Sequence, residues 1–357
     1  MILYFGIFLI LVLLRFNLIG RPRARNQAYY LILLFLFLFV AFRLDVGCDW
    51  SGYLNQWYIQ ENSLITTDSN FVEPLWWSSI AFLQYFNLPY PWLNVFSALV
   101  FFLGIHRIAI RQMDSLGFLI LLYPILIINM PMSGIRQGVA IGIMCLAFNA
   151  FTDKKIIWFI FLTIVAAQFH QSAIIFIFLL PIIYGKYSKR RIILALIFAL
   201  PGIYIILNES NAGQIVDRYI DTGIDAFGGV FRVGLLSLTG MAFIVLLSKK
   251  WERTFSQTYK ITTIFSMIMI SLIFVIPVSS VIGDRLGYYL IPIQAMILAG
   301  IPFLPIQKYR VIYSLAPYLI IGLTFLIWTT ISWHFQKCYV PYNTWIFGFP
   351  ENNLFGL

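Results

Sequence analysis

Four short stretches hold side chains that could do chemistry: Arg43, Asp45 and Asp49 in "FRLDVGCDWSGY", Arg136 and Gln137 in "SGIRQGVAIGI", His170 in "QFHQSAIIF", and Asp284, Arg285 and Tyr288 in "GDRLGYY". Tyr53 closes the first stretch, and Glu73, Arg218 and Arg232 stand apart from all four. A guanidinium presents a fork of donors that matches the oxygens of a carboxylate or phosphate, and it keeps its charge where water is scarce. A histidine or a carboxylate can take a proton from an attacking hydroxyl. His170 reads in two ways: an interfacial polar residue before a helix capped by Ser172, or a proton carrier or phosphate donor beside the arginines.

The elements that must position these groups are helices in a bilayer. The chain has 357 residues, 61% hydrophobic and 11% charged, with a mean hydropathy of +0.87, a composition that excludes a water-soluble globular protein. Apolar runs of about 15 to 20 residues recur along it, enough to span a hydrocarbon core of roughly 30 Å. They lack strand-period alternation, so the spanning elements are helices and not a barrel. The first run, "MILYFGIFLILVLLRF", lacks a basic leader and a small-residue cleavage site and reads as a retained helix.

A net charge of +10 does not imply nucleic acid here, because the charges sort by loop. The basic clusters "RPRAR", "HRIAIR", "DKK", "KYSKRR", "KKWER" and "QKYR" mark cytoplasmic turns under the positive-inside rule. All but six of the 24 Lys and Arg then lie inside, and all but three of the 14 Asp and Glu lie outside. The sequence thus predicts one all-α transmembrane domain over 1–357 with about 12 crossings and both termini outside. Periplasmic loops fall at about 43–74 and 208–230, and the short, polar-marked stretch Leu75 to Phe86 is expected to be re-entrant or interfacial. Cys48 and Cys338 fall on the same predicted side and could pair in an oxidising compartment, while Cys145 reads as helix packing.

The outward set is Arg43, Arg136, Arg218, Arg232, Arg285 and Lys337, a bias toward arginine that solvated surface charge does not explain. Arg136, Arg232 and Arg285 are expected at outward helix starts, with Ser133 and Asp284 as caps. A cation there opposes the helix dipole, which makes sense if an anion meets it. Arg43 with Asp45 or Asp49 reads either as a loop-holding ion pair or, with Glu73, as groups that bind sugar hydroxyls or accept a proton beside Trp50, Tyr53, Trp57 and Tyr58. The acidic stretch around Asp217, Arg218, Asp221 and Asp225 is long enough for a lid, and its spacing fits no fixed metal-ligand set.

In order and spread over separate helices, "FRLDVGCDWSGY", "SGIRQGVAIGI", "QFHQSAIIF" and "GDRLGYY" resemble the EpsG-like branch of the Wzy-type polysaccharide polymerases, over about Arg43 to Arg285. The resemblance implies an inner-membrane glycosyltransferase with its active site facing the periplasm. It would join undecaprenyl-diphosphate-linked repeat units of an O-antigen or exopolysaccharide without a metal or other cofactor. Partners would be the lipid-linked donor and acceptor, membrane lipid and a chain-length regulator, with no nucleic acid. Arg43, Arg136, Gln137, Arg218, Arg232, Asp284, Arg285, Tyr53 and Tyr288 are then expected to bind substrate, with the departing diphosphate on the arginines. His170, Asp45, Asp49 and Glu73 are the candidate bases in that order. An O-antigen ligase and a flippase or transporter of lipid-linked sugars are the competing readings. A transporter should show inverted repeats, and the sequence shows none.

Overall fold

A computed structural model describes residues 1–63, 73–185, 190–191, 193–195, 197, 227–277, 279–306 and 310–349. The described elements are helical, with a single isolated bridge between Arg43 and Thr344. Among the described residues, seven helices are long and apolar enough to cross a membrane, and four shorter apolar helices accompany them. The chain is therefore a polytopic helical membrane protein. Seven spans meet the length criterion against the expected ~12, because several apolar runs form helices of only 8 to 16 residues or fall outside the described residues.

The chain divides into two compact units, one made of Met1–Gly142, Gln168–His170 and Leu315–Leu357 and the other of Ile143–Ala167 and Gln171–Ser314. No break in composition marks that division. In the first unit, α1 (Ile2–Asn17) and α2 (Pro22–Ala41) are followed by α3 (Trp50–Ser63), α4 (Pro74–Tyr85), α5 (Pro91–Ala109) and α6 (Ser115–Leu122), with α1 packed on α6 and α2 on α5 and α6. Pro124, which has no N–H to give, falls in a π-helical turn at Tyr123–Ile127. The helix α7 (Ile135–Thr152) begins in this unit and continues into the other.

Lipid tails are as apolar as leucine, so close backbone approach and polar fastenings set helix positions more than apolar burial does. Gly104 of α5 and Gly142 of α7 provide the first: a Cβ on Gly104 would strike the Gly142 carbonyl, and one on Gly142 would come within 2.7 Å of Phe101 Cα. The small residues after Arg136 thus let α7 lie directly on α5. Polar fastenings occupy both ends of the unit. At one end Arg15 Nε meets Asp114 Oδ2 at 2.9 Å and Arg25 lies 3.7 Å from Asp114 Oδ1, joining residues that the charge pattern places inside. At the other end Tyr4 donates to the Tyr339 carbonyl at 2.9 Å, and Cys48 is bonded to Cys338, joining residues placed outside.

The expected outside loop from Arg43 to Pro74 is not all loop. Trp50, Tyr53 and Trp57 recur at helical spacing and are buried, so α3 forms there and packs on α4. Trp76 Nε1 donates to Gln56 and Gln84 Nε2 donates to the Trp57 carbonyl, both at 2.9 Å, fixing the pair. The stretch expected to be re-entrant forms α4, 12 residues long and too short to span.

In the second unit, α8 (Ile156–Ala167) and a 3₁₀ segment (Gln171–Ile182) precede α9 (Phe227–Ala242), which runs on through a π turn to Thr254. Then come α10 (Ser256–Ser271) and α11 (Ser280–Gly300). Ser237 on α9 donates to the Met269 carbonyl at 2.7 Å, and Gln294 on α11 donates to Thr239 at 2.9 Å. The helix α12 (Arg310–Ile331) returns to the first unit at Leu315 and leads to α13 (Trp333–Tyr339).

Candidate functional site

Glu73 lies at the centre of the site. It immediately precedes α4 in a left-handed conformation, φ 67°, with Pro74 opening the helix, and its carbonyl accepts from Trp76 N at 3.1 Å. A non-glycine residue rarely adopts that backbone, and here its carboxylate does not cap the helix it precedes. Its Oε2 accepts from Arg136 Nη1 at 2.6 Å and its Oε1 lies 3.0 Å from His170 Nδ1. Arg136 is the second residue of α7, and His170 follows α8 in the turn before Gln171. Glu73 and His170 are 4% and 8% exposed, and the Arg136 side chain 31%.

An ionised carboxylate only accepts, so His170 Nδ1 carries the proton in this contact, and the neutral ring has its lone pair at Nε2. Arg136 in turn compensates the buried charge of Glu73. The anion expected to meet Arg136 at its helix start is thus supplied by the chain itself. Tyr53 lies against the same guanidinium, 5.8 Å from ring centroid to Cζ. Burial raises its phenol above the ordinary value, and the Arg136 charge works against that rise. Gln137 is buried on the same turn of helix.

Both expected caps are corrected. Ser133 does not cap α7; its hydroxyl donates to Asp49 Oδ2 at 3.1 Å and accepts from Asp49 N at 3.3 Å, while the Gly134 carbonyl takes the first helical N–H, from Gly138. Asp284 lies inside α11, whose cap is Ser279, accepting from Ile282 N. Asp284 instead binds Arg232 through both oxygens, at 2.8 and 2.6 Å, with Tyr288 5.1 Å beneath the guanidinium. Arg232 and Arg285 each stand sixth in their helices, past the first turn where the dipole acts, and Arg285 is exposed.

Arg43 is a further correction to the substrate-binding set. It is 2% exposed, and its donors go to the carbonyls of Val40, Val46 and Met132 and to Asn94 Oδ1, at 2.7 to 3.1 Å. Burial pushes its pKa down to about 10, so it stays charged near neutral pH. It pairs with neither Asp45 nor Asp49 among the described contacts; Asp45 is exposed with φ 53°. Trp50, Tyr53 and Trp57 do not form an open sugar platform either. They are buried edge-on against Tyr90 and Trp76, and only Tyr58 of that group is exposed. Arg218 and the acidic stretch around it lie outside the described residues. Among the described residues no group of three or more His, Cys, Asp or Glu is gathered as for a metal.

Asn94, Gln56 and Gln84, which hold Arg43 and the α3–α4 pair, had no signal in the sequence beyond being polar in apolar surroundings. The Glu73 contacts, across 63 and 97 residues, had none.

Membrane-length helices define an integral membrane protein, and within its first unit a buried carboxylate joins an arginine to an imidazole. Over residues 26–344 the chain matches the model of the EpsG family, and it belongs to that family. The family points to a membrane polysaccharide polymerase. No curated protein and no solved structure matches the chain.

Proposed function

We propose that the protein polymerises oligosaccharide repeat units carried on undecaprenyl diphosphate, making an O-antigen or exopolysaccharide at the outer leaflet of the bacterial inner membrane. The observation that carries this reading is the placement of Glu73 between Arg136 and His170. In the reaction, a hydroxyl of the acceptor saccharide attacks the anomeric carbon of the donor. The new glycosidic bond forms as the bond to the diphosphate oxygen breaks. His170 Nε2 takes the hydroxyl proton, Glu73 holds the ring and stabilises its charged form, and Arg136 binds the negative charge on the departing undecaprenyl diphosphate. Arg136 is partly exposed and faces a carboxylate, so a phosphate oxygen can share its remaining donors. Arg232, on Asp284 in the second unit, is the other candidate diphosphate ligand. The Cys48–Cys338 bond supports an oxidising compartment for this end of the first unit, because disulfides persist there and not in the cytoplasm.

The test is Arg136→Ala in a deletion strain complemented with the gene. The expected result is loss of polymer, with single repeat units remaining and wild-type amounts of protein in the membrane. A normal polymer ladder removes Arg136 from the reaction, and polymer that accumulates unattached makes the protein a ligase.

A further inference from the structure

Asp49 stands as a candidate base on sequence grounds, yet its contacts point elsewhere. It follows Cys48 directly, and both its backbone N–H and its carboxylate are tied to one hydroxyl, that of Ser133. Ser133 belongs to the turn from which α7 springs: Ser133 N and Gly134 N both bond to the Asn129 carbonyl, and Arg136 comes three residues after Ser133. The neighbouring contacts have the same direction. Arg43 Nε reaches the Met132 carbonyl at 3.1 Å, and Gly47, at φ 111°, packs so closely that a Cβ would strike that carbonyl. The strip 42–49 is gripped from its other side by the chain's C-terminal segment. Gly47 N donates to Cys338 O at 2.8 Å, Leu44 N to Asn343 O at 2.9 Å and Trp345 N to Phe42 O at 3.0 Å, beside the Cys48–Cys338 bond.

We infer that Asp49 is a positioning residue for the transfer: through Ser133 it holds the turn that aims Arg136 at Glu73 and His170, and the disulfide-anchored strip holds Asp49. The inference rests on the proposed role of Arg136 and adds a residue that acts without touching the substrate. A short polar link suits this task because the Ser133 hydroxyl is engaged by Asp49, so the contact ties the start of α7 to the strip as well as to its own local turn. A displacement of about 1 Å at a binding group is enough to lower a rate about a hundredfold.

The contact needs an oxygen acceptor, not a charge. Asn at position 49 keeps an acceptor for the Ser133 hydroxyl and keeps the same backbone N–H, whereas a proton-accepting Asp49 could not be replaced by Asn. Polymer formed by the complemented deletion strain is therefore compared for Asp49→Asn, Asp49→Ala, Ser133→Ala and the double Asp49→Ala/Ser133→Ala. Each variant's amount in the membrane and its Cys48–Cys338 pairing, read by thiol alkylation, serve as the folding control. Polymer from Asp49→Asn within about twofold of wild type is expected, with losses of about tenfold or more in Asp49→Ala and Ser133→Ala, and a double variant no worse than the worse single one. An Asp49→Asn as inactive as Asp49→Ala, or losses that multiply in the double variant, overturns the inference, as does a wild-type ladder from Ser133→Ala. Arg136→Ala is read separately: if it leaves polymer intact while the Asp49 series behaves as expected, the proposed role of Arg136 fails and the Asp49–Ser133 link stands as a fastening alone.

Discussion

Glu73→Gln separates the two tasks assigned to the carboxylate. Glu73 serves two donors at once, Arg136 Nη1 at 2.6 Å and His170 Nδ1 at 3.0 Å, one on each oxygen. A glutamine amide has one acceptor and one NH₂, so either orientation satisfies only one of them. If the NH₂ turns to His170, Nδ1 must accept and the proton moves to Nε2, which removes the base. If it turns to Arg136, two donors face each other beside an uncompensated charge. A charge-assisted contact of this kind is worth about 1.5 to 3 kcal/mol, and with the Arg136 side chain 31% exposed the lower half of that range applies. The protein should survive a loss near ~2 kcal/mol, whereas loss of an oriented base lowers a rate by about 10² to 10⁴. Polymer should therefore fall at least a hundredfold while membrane-inserted protein stays near wild type. The assay is the polymer ladder in a complemented deletion strain, normalised to immunoblotted protein. A Glu73→Gln ladder of normal length and amount refutes both the bridging role and the assignment of His170 as base.

Two further substitutions test the scaffold beneath the site. Arg43→Lys keeps the charge but replaces a fork that reaches Val40, Val46, Met132 and Asn94 with a single ammonium, so one or two acceptors lose their partner and stability should drop by about 2 kcal/mol, seen as a lower melting temperature in detergent. An unchanged melting temperature would show that the fork is not needed. Gly104→Val should force α5 away from the Gly142 carbonyl and cost about 3 kcal/mol or more, with Gly6→Ala, where nothing lies within 4 Å, as the silent control. Equal effects from the two would remove the backbone contact as a constraint on α7.

The fold class was legible because hydropathy and charge act over whole segments, and even short helices preserve the pattern. Two pairs that the charge pattern puts on a common side do meet, Arg15 with Asp114 and Cys48 with Cys338. The helix α3 was not. It carries Asn55, Gln56, Gln60, Glu61 and Asn62, and its burial comes from three aromatics at i, i+3 and i+7 among those polar residues, a pattern weaker than a membrane span. The residues of the candidate site were legible only as types, since Arg136, His170 and Glu73 are polar groups in an apolar chain. Their union was not, because contacts over 63 and 97 residues leave no trace in local spacing. Ser133 shows the converse hazard. A serine before a helix is ordinarily a cap, but tertiary contact with Asp49 took the hydroxyl instead.

The outward arginines were grouped by one property, their resistance to losing charge in dry surroundings, and the structure divides them by what they meet. Arg43 meets three backbone carbonyls and an amide oxygen, partners with no net charge, which cannot be displaced without unfolding the strip. An anion could not reach it without breaking several of those bonds, so its burial argues against a binding role. Arg136 and Arg232 meet carboxylates and are partly exposed, at 31% and 17% of the side chain. A carboxylate is the nearest side-chain counterpart of a phosphate, so under the proposed function each pair would offer a diphosphate a guanidinium that is not left as a bare cation in its absence. Between these two, only the Arg136 carboxylate has an imidazole on its other oxygen among the described contacts. Diphosphate binding at Arg136 would draw the guanidinium partly away from Glu73, leaving the carboxylate freer to stabilise a protonated His170. Under the proposed function, departure of the anion and acceptance of the proton would thereby be coupled through one side chain.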